Sequence, residues 1–394
     1  FTNTGAITIA SGKTMTVQSA GAFTQSAGTL SGSGTLSLSS LSSANFNTTF
    51  NLGTLSLNAV TTSSFNSNAF TAGTLNLTSV TTTIPTGCTI SALNLSSATV
   101  TLSDDLSTQN TVLSVASSTI NGTGRTITNA ATKSVTLNSS TINTALDNAG
   151  TINVSGTSSI TGALTTQNVS TLNVAGGCWY STTLTVSNGF TNNGTIALGG
   201  YCGYSGTLTV NSGTLVNATG STISTTAGDN GQAYLYAQLD NQGTFTVGWP
   251  LTISKASAAH TNGGTITANN TLTITQSGTN PSFTNTGAIN ANSNVTLNNG
   301  GINPLFANAG TLNIDSGKTF TISGGNYNNN TGSTISGAGT LAFSSATANL
   351  NADLSNVTTP YTLTSSTVNG PAKLINAAGK SLTLNSDTIN SALD

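Results

Sequence analysis

Apolar and polar residues alternate with a period of two along nearly the whole chain, in short runs punctuated by Gly and Asn. Between Leu239 and Ile314 the alternation settles into a phrase, Asn-x-Gly followed by Thr or Ala and an apolar residue. It is headed by Asn241, Asn262, Asn285 and Asn308, at separations of 21, 23 and 23 residues. Each copy is followed by a second run: Leu251-Thr252-Ile253, Leu272-Thr273-Ile274, Val295-Thr296-Leu297 and Phe320-Thr321-Ile322. Runs of this length, rich in Thr, Ile, Val and Phe, predict half-buried strands; a helix needs a 3.6-residue period, and none is present.

Two or three such strands cannot bury their apolar faces alone, so successive periods must stack in parallel. The pattern predicts an all-β fold, a right-handed parallel β-helix (β-solenoid) of about 18 coils with roughly 18 to 25 residues in each. Ile7, Ile9, Ile152, Val154, Ile196, Leu198, Phe245, Val247, Ile266, Ile289, Leu312 and Ile314 are expected inside, with the Thr between them facing out. The recurrent asparagines are Asn3, Asn148, Asn192, Asn217, Asn241, Asn262, Asn285 and Asn308. They are expected at a corner, where Asn and Gly tolerate positive φ, passing amide hydrogen bonds from rung to rung.

The same phrase opens the chain at Phe1-Thr2-Asn3-Thr4-Gly5, shortens at Gly34, Gly53 and Gly73, and returns at Leu146-Asp147-Asn148-Ala149-Gly150. No break in composition exceeds one coil, so residues 1–394 read as a single continuous solenoid. A longer repeat lies over the first, residues 96–147 matching residues 344–394. Asp147 is followed by Asn-Ala-Gly-Thr-Ile, whereas the matching Asp394 is the last residue. Coils are therefore expected to continue end to end, through a longer covalent chain or through head-to-tail stacking, a contact that does not close and so builds a filament.

Only 4% of residues are charged and the formal net charge is −2. There is no basic face for a phosphate backbone, which excludes nucleic-acid binding. No apolar run approaches the ~20 residues of a membrane helix, and the Gly/Asn corners are too frequent for the strands of an outer-membrane barrel. The periodic apolar residues argue against disorder.

Repeated Asn-x-Gly-Thr-(Ile/Leu) phrases in a Ser/Thr/Asn-rich, charge-poor chain resemble the passenger regions of bacterial autotransporters and filamentous-haemagglutinin-type adhesins. The resemblance is one of repeat style. It implies an extracellular, cell-surface β-helix.

Candidate chemistry is sparse. An enzyme on such a scaffold would need clustered carboxylates or a carboxylate beside a base; the candidates are Asp104-Asp105, the single His260 and the single Arg125. Asp104-Asp105 reads as a solvated turn, His260 as a tolerated corner residue in the slot that Phe283 and Phe306 fill later, and Arg125 as a surface charge matching Lys373. No motif demands a cofactor or a metal, and the chain is expected not to be an enzyme. One segment departs from the background: Trp179, Tyr180, Tyr201, Tyr204, Tyr234, Tyr236 and Trp249 hold both Trp and five of the seven Tyr. They read either as corner packing or a lateral seam, or as a surface for sugar rings or a partner. Cys178 and Cys202, 24 residues apart, are expected on adjacent coils near the Cα separation that a disulfide accepts, but parallel in-register side chains point alike, which leaves the bridge open. Cys88 has no sequence partner and is expected to be a buried thiol. The reading is a structural segment of an extracellular fibre, stalk or sheath whose partner is another copy of itself. The alternatives are an adhesin that binds glycans or a cell surface through the 176–249 aromatics, an ice-binding solenoid using Thr-x-Thr pairs (Thr183/Thr185, Thr207/Thr209, Thr271/Thr273, Thr319/Thr321), and a carbohydrate-active β-helix enzyme. Drift in coil length is expected to spoil a flat ice-binding lattice.

Overall fold

The computed structural model describes residues 1–66, 68–226 and 230–394. Among them there is no helix: short parallel strands stack as a β-solenoid of about 18 turns. Contacts divide the chain into two units, one of Phe1–Asn173 with Leu184–Asn188, the other of Val174–Thr183 with Gly189–Asp394.

In the first unit, strands Thr29–Ser39, Asn51–Asn58, Thr71–Thr78 and Thr89–Ser96 pair in parallel and in register. Leu36, Leu55, Leu75 and Leu93 therefore fall on one line and Leu38, Leu57, Leu77 and Leu95 on the next, all of them buried. The lines run on through Leu113 and Val115, and the second of them through Leu137 to Val154, beside the paired Val135 and Ile152. A second wall is built from Val100, Ile120, Ile142 and Ile160, and a third from Leu106, Ile127, Leu146 and Leu164. Toward the first coils the column turns aromatic, with Phe23, Phe46, Phe50, Phe65 and Phe70 in ring contact. Ile9 is buried, but Ile7, expected inside, is only half-buried.

The second unit repeats the design. Ile196, Ile223, Phe245, Ile266, Ile289 and Leu312 form one interior line. Leu198, Val247 and Ile314 lie on its neighbour, where Thr225, Ala268 and Ala291 fill the other rungs. Leu251, Leu272, Val295, Phe320, Leu341 and Tyr361 form a further line. Period-two alternation produces these lines directly: in a parallel, in-register stack every second side chain points the same way on every coil.

The Asn-x-Gly phrase is built differently from the expected positive-φ corner. Its asparagines are buried, and neither they nor the glycines Gly243, Gly264, Gly287 and Gly310 lie in the left-handed region. Glycine is required for a different reason. A Cβ on Gly264 would stand 2.1 Å from the Gly243 carbonyl oxygen, and one on Gly287 2.1 Å from that of Gly264, so the coils touch backbone to backbone at this position. Positive φ appears instead at a serine turn that follows another strand, at Ser40, Ser79, Ser97, Ser117 and Ser139. The backbone N–H of Ser79 still donates to Ser96 O at 2.9 Å and that of Ser97 to Ala116 O at 3.0 Å, so the turn keeps its place in the ladder.

Candidate functional site

The buried asparagines form the most regular polar feature of the molecule. In the second unit the side-chain amide of Asn192 donates to Asn217 Oδ1 at 2.9 Å, and that of Asn217 to Asn241 at 2.8 Å. Asn241 donates to Asn262 at 2.7 Å, Asn262 to Asn285 at 2.8 Å and Asn285 to Asn308 at 2.7 Å. Asn308 passes its donor to Ser333 Oγ at 2.7 Å. Each Nδ2 has a second hydrogen, which goes to a backbone carbonyl of the next strand: Thr222, Thr244, Thr265, Ala288 and Thr311 in turn. A side-chain amide offers two donors and an acceptor; a parallel stack with one rung spacing uses all of them, which is why an apolar interior holds this polar line at little cost. The first unit has shorter versions, Asn129 to Asn148 at 2.7 Å and Asn3 to Gln25 at 2.8 Å. Asn129, Gln25 and Asn356, which donates to Asn376, were not legible as members because the Asn-x-Gly phrase is degraded around them. At Leu350, opposite Asn329, the amide line gives way to a buried apolar side chain.

The aromatic segment lies on the outside. Hydrogen bonds from Thr182 N to Ser205 O, Gly206 N to Gln232 O and Ala233 N to Pro250 O align four consecutive coils of the second unit. The residues just before the aligned strand starts are thus Trp179-Tyr180-Ser181, Gly203-Tyr204-Ser205, Asn230-Gly231-Gln232 and Gly248-Trp249-Pro250. Trp179 is 86% exposed, and Tyr180, Tyr201 and Tyr204 are exposed as well. Tyr234 and Tyr236 follow on the outer face of strand Ala233–Asn241, opposite Thr207 and Thr209, with ring centroids 5.7 Å apart. The Tyr234 hydroxyl donates to Gln232 Oε1 at 2.7 Å, and the Trp249 indole N–H donates to the Gly231 carbonyl. Cys178 and Cys202 are joined in a disulfide with a Cα separation of 4.7 Å. Neither sits in a regular strand: Gly177 and Tyr180 close an antiparallel turn, and Cys202 and Gly203 have φ of 52° and 84°, so their side chains escape the shared direction that strand residues obey.

The other candidates are scattered. His260 is not at a corner: it is 2% exposed, inside, in register with Phe283 and Phe306. Its Nδ1 accepts from Leu239 N at 3.2 Å, its Nε2 has no partner, and burial pushes the imidazole down to about 4. Asp104 and Asp105 are exposed and accept from Gly87 N at 2.7 Å and Thr126 N at 2.9 Å, tying adjacent coils together. Arg125 is half-buried, and Lys373 pairs with Asp394 at 2.9 Å on the surface. Cys88 is half-buried rather than buried, at the edge of a small recess beside Asp104 and Leu106; burial raises its thiol pKa, with Asp104 adding a smaller upward push. Among the described residues no group of three or more His, Cys, Asp or Glu side chains is placed to hold a metal. No helix among them is long and apolar enough to cross a membrane.

The outward Thr pairs do not make one array where the sequence suggested it. Thr207 and Thr209 face Tyr234 and Tyr236 on the next coil, and Thr321 faces Ala342. A more regular row lies on another face, Thr195, Thr222, Thr244, Thr265, Ala288, Thr311 and Thr334. Most paired strands keep one register from coil to coil although coil length varies, with shifts between Thr209 and Thr214 and between Gly32 and Thr35.

No protein-family model, curated protein or solved structure matches this chain.

Proposed function

We propose that this chain is a structural element, a segment of an extracellular fibre, stalk or sheath whose work is to stay folded and hold distance under load. The observation that carries the reading is the buried amide line from Asn192 to Asn308, flanked by an apolar line from Ile196 to Leu312 on one side and by one that only His260 interrupts on the other. From Asn192 to Asn308 each coil is bonded to the next by backbone ladders, side-chain amides and interlocked apolar residues. The cooperative unit is therefore the interface between neighbouring coils, repeated along the stack. Such an arrangement resists local opening, because exposing one coil breaks contacts on both sides. A charge-poor surface and a disulfide at 178–202 suit an oxidising compartment outside the cell.

The reading is tested by prolonged digestion of the full chain with a broad-specificity protease, followed by mass spectrometry of the fragments. Resistance throughout the strand stack supports it, with cuts confined to loop tips. Rapid cleavage inside the strands of residues 192–314 under native conditions would remove it, because a load-bearing element cannot open there spontaneously.

A further inference from the structure

We infer that the disulfide-braced aromatic corner of the second unit is a binding strip for an uncharged polysaccharide chain. Among the described residues the exposed large rings, Phe1 apart, gather in one place: Phe23, Phe46, Phe245, Phe283, Phe306, Phe320, Phe343, Tyr327 and Tyr361 are all buried, whereas Trp179, Tyr180, Tyr201, Tyr204 and Tyr236 are exposed. A solenoid that can bury a ring in almost any coil has no packing reason to gather these exposed ones on three consecutive turns. Contiguous exposed apolar surface of this kind marks an interaction site.

The rings are also held in place. The Cys178–Cys202 bond joins two neighbouring loops, the Gly177 N–H donates to Tyr180 O at 3.0 Å and the Tyr204 N–H to Tyr201 O at 2.9 Å, and the Trp249 indole is tied to Gly231. Gly231 leaves room for this: a Cβ there would lie 2.2 Å from the Tyr204 carbonyl oxygen. Rings fixed before binding lose little conformational freedom when a ligand arrives.

The chemistry of the strip selects the occupant. Residues 176–210, 231–239 and 248–254 contain no Asp, Glu, Lys, Arg or His. What they offer is aromatic faces interleaved with hydroxyl and amide groups: the Tyr phenols, Ser181, Ser205, Gln232 and Thr252. A pyranose ring presents the complement, a patch of C–H groups on its face and hydroxyls around its rim, with no charge to satisfy. Three rung spacings of about 4.8 Å make the corner roughly 14 Å long and about one loop wide, much smaller than the roughly 800 Å² per side of a stable protein interface. A linear chain of sugar rings laid along the corner fits that footprint.

The test is binding of the full chain to amorphous cellulose, chitin and xylan, by depletion from solution and by Trp fluorescence with soluble oligomers of each. Retention on at least one of them is expected, unchanged in molar salt because no ion pair takes part. Trp179→Ala and Tyr204→Ala should each weaken it at least tenfold while leaving the melting profile unchanged, since both rings project outward. The double variant C178S/C202S should weaken it less, by releasing the loops. The inference is overturned if none of the three polymers retains the protein, or if Trp179→Ala binds like the parent. It is equally overturned if Trp179→Ala alters only the oligomeric state in light scattering, which would assign the corner to a protein contact.

Discussion

Replacing Asn262 by Leu removes a rung from the middle of the amide line while keeping the side chain close in size. Asn262 is fully buried, accepts from Asn241 Nδ2 at 2.7 Å, and donates to Asn285 Oδ1 at 2.8 Å and Ala288 O at 3.1 Å. The substitution leaves Asn241 with one of its two amide hydrogens unpaired and Asn285 Oδ1 without a donor, both deep in the stack. Each orphaned group costs about 1 to 3 kcal/mol, so the loss is about 2 to 6 kcal/mol before any gain from the apolar side chain. The neighbouring double variant N262L/N285L moves the break without widening it, because the line is again cut at two places, now at Asn241 and Asn308. The two substitutions should therefore be strongly non-additive, the pair avoiding two of the four orphaned groups, a coupling of about 2 to 6 kcal/mol on the same ledger. A repeat array does not unfold in one step, so the readout is hydrogen exchange of the flanking strands, Thr265–Ala268 and Ala288–Ala291. N262L should lower protection there by a factor of about 30 or more, while Asn290→Ala, on the outward face of the next coil, should leave it within about twofold. Additive effects, or an N262L chain exchanging like the parent, would refute the account of the line as a mutually supporting network.

Ile266→Ala, cutting a hole between Phe245 and Ile289, should cost about 2 to 5 kcal/mol in local stability, read by the same exchange experiment. Gly287→Ala should be severely disruptive, about 3 kcal/mol or more, because its Cβ would meet the Gly264 carbonyl at 2.1 Å; Gly263→Ala, whose Cβ would find only Thr286 Oγ1 at 3.7 Å, should melt like the parent. His260 makes stability fall on acidification. Its folded-state value of about 4 lies below the ordinary 6.5, so the unfolded chain takes up the proton first and stability declines from about pH 6.5 to about pH 4, by about 3 kcal/mol in all. Urea midpoints across that range should show the slope, and His260→Phe, matching Phe283 and Phe306 in the same line, should flatten it; an unchanged slope would place the proton uptake elsewhere.

The fold was legible because its physics is local and repeated. Alternation of Leu, Ile and Phe with Thr and Ser specifies strand faces, and a parallel stack converts that alternation into the interior lines seen at Leu36 to Leu93 and Ile196 to Leu312. What the pattern could not convey was how the turns are made. Asn-x-Gly reads equally as an exposed corner or as an inward amide beside a backbone contact. Only the approach of Gly264 to Gly243 distinguishes the two, and that contact joins residues a full coil apart. The positive-φ serines were unreadable for a related reason: Ser79 and Ser97 are held in the left-handed region by ladder bonds from the next coil, not by any local preference. His260 was misplaced at a corner because its polarity outweighed its alignment with Phe283 and Phe306, although that alignment was present in the sequence. Of the aromatic segment, the spacing of Cys178 and Cys202 was visible, but the turns that bring their side chains together were not.

The most direct test of the central claim, that the coils act as a serially bonded load-bearing stack, is single-molecule stretching of the full chain held at its two ends. Coils of the second unit hold 23 residues between equivalent positions such as Asn262 and Asn285. Peeling one away should release about 75 Å, the extended length of those residues less one rung spacing. The account predicts a series of force peaks separated by that increment or small multiples of it, with N262L lowering the peaks of its own coil. Smooth extension from zero force, without peaks on the coil scale, would contradict it.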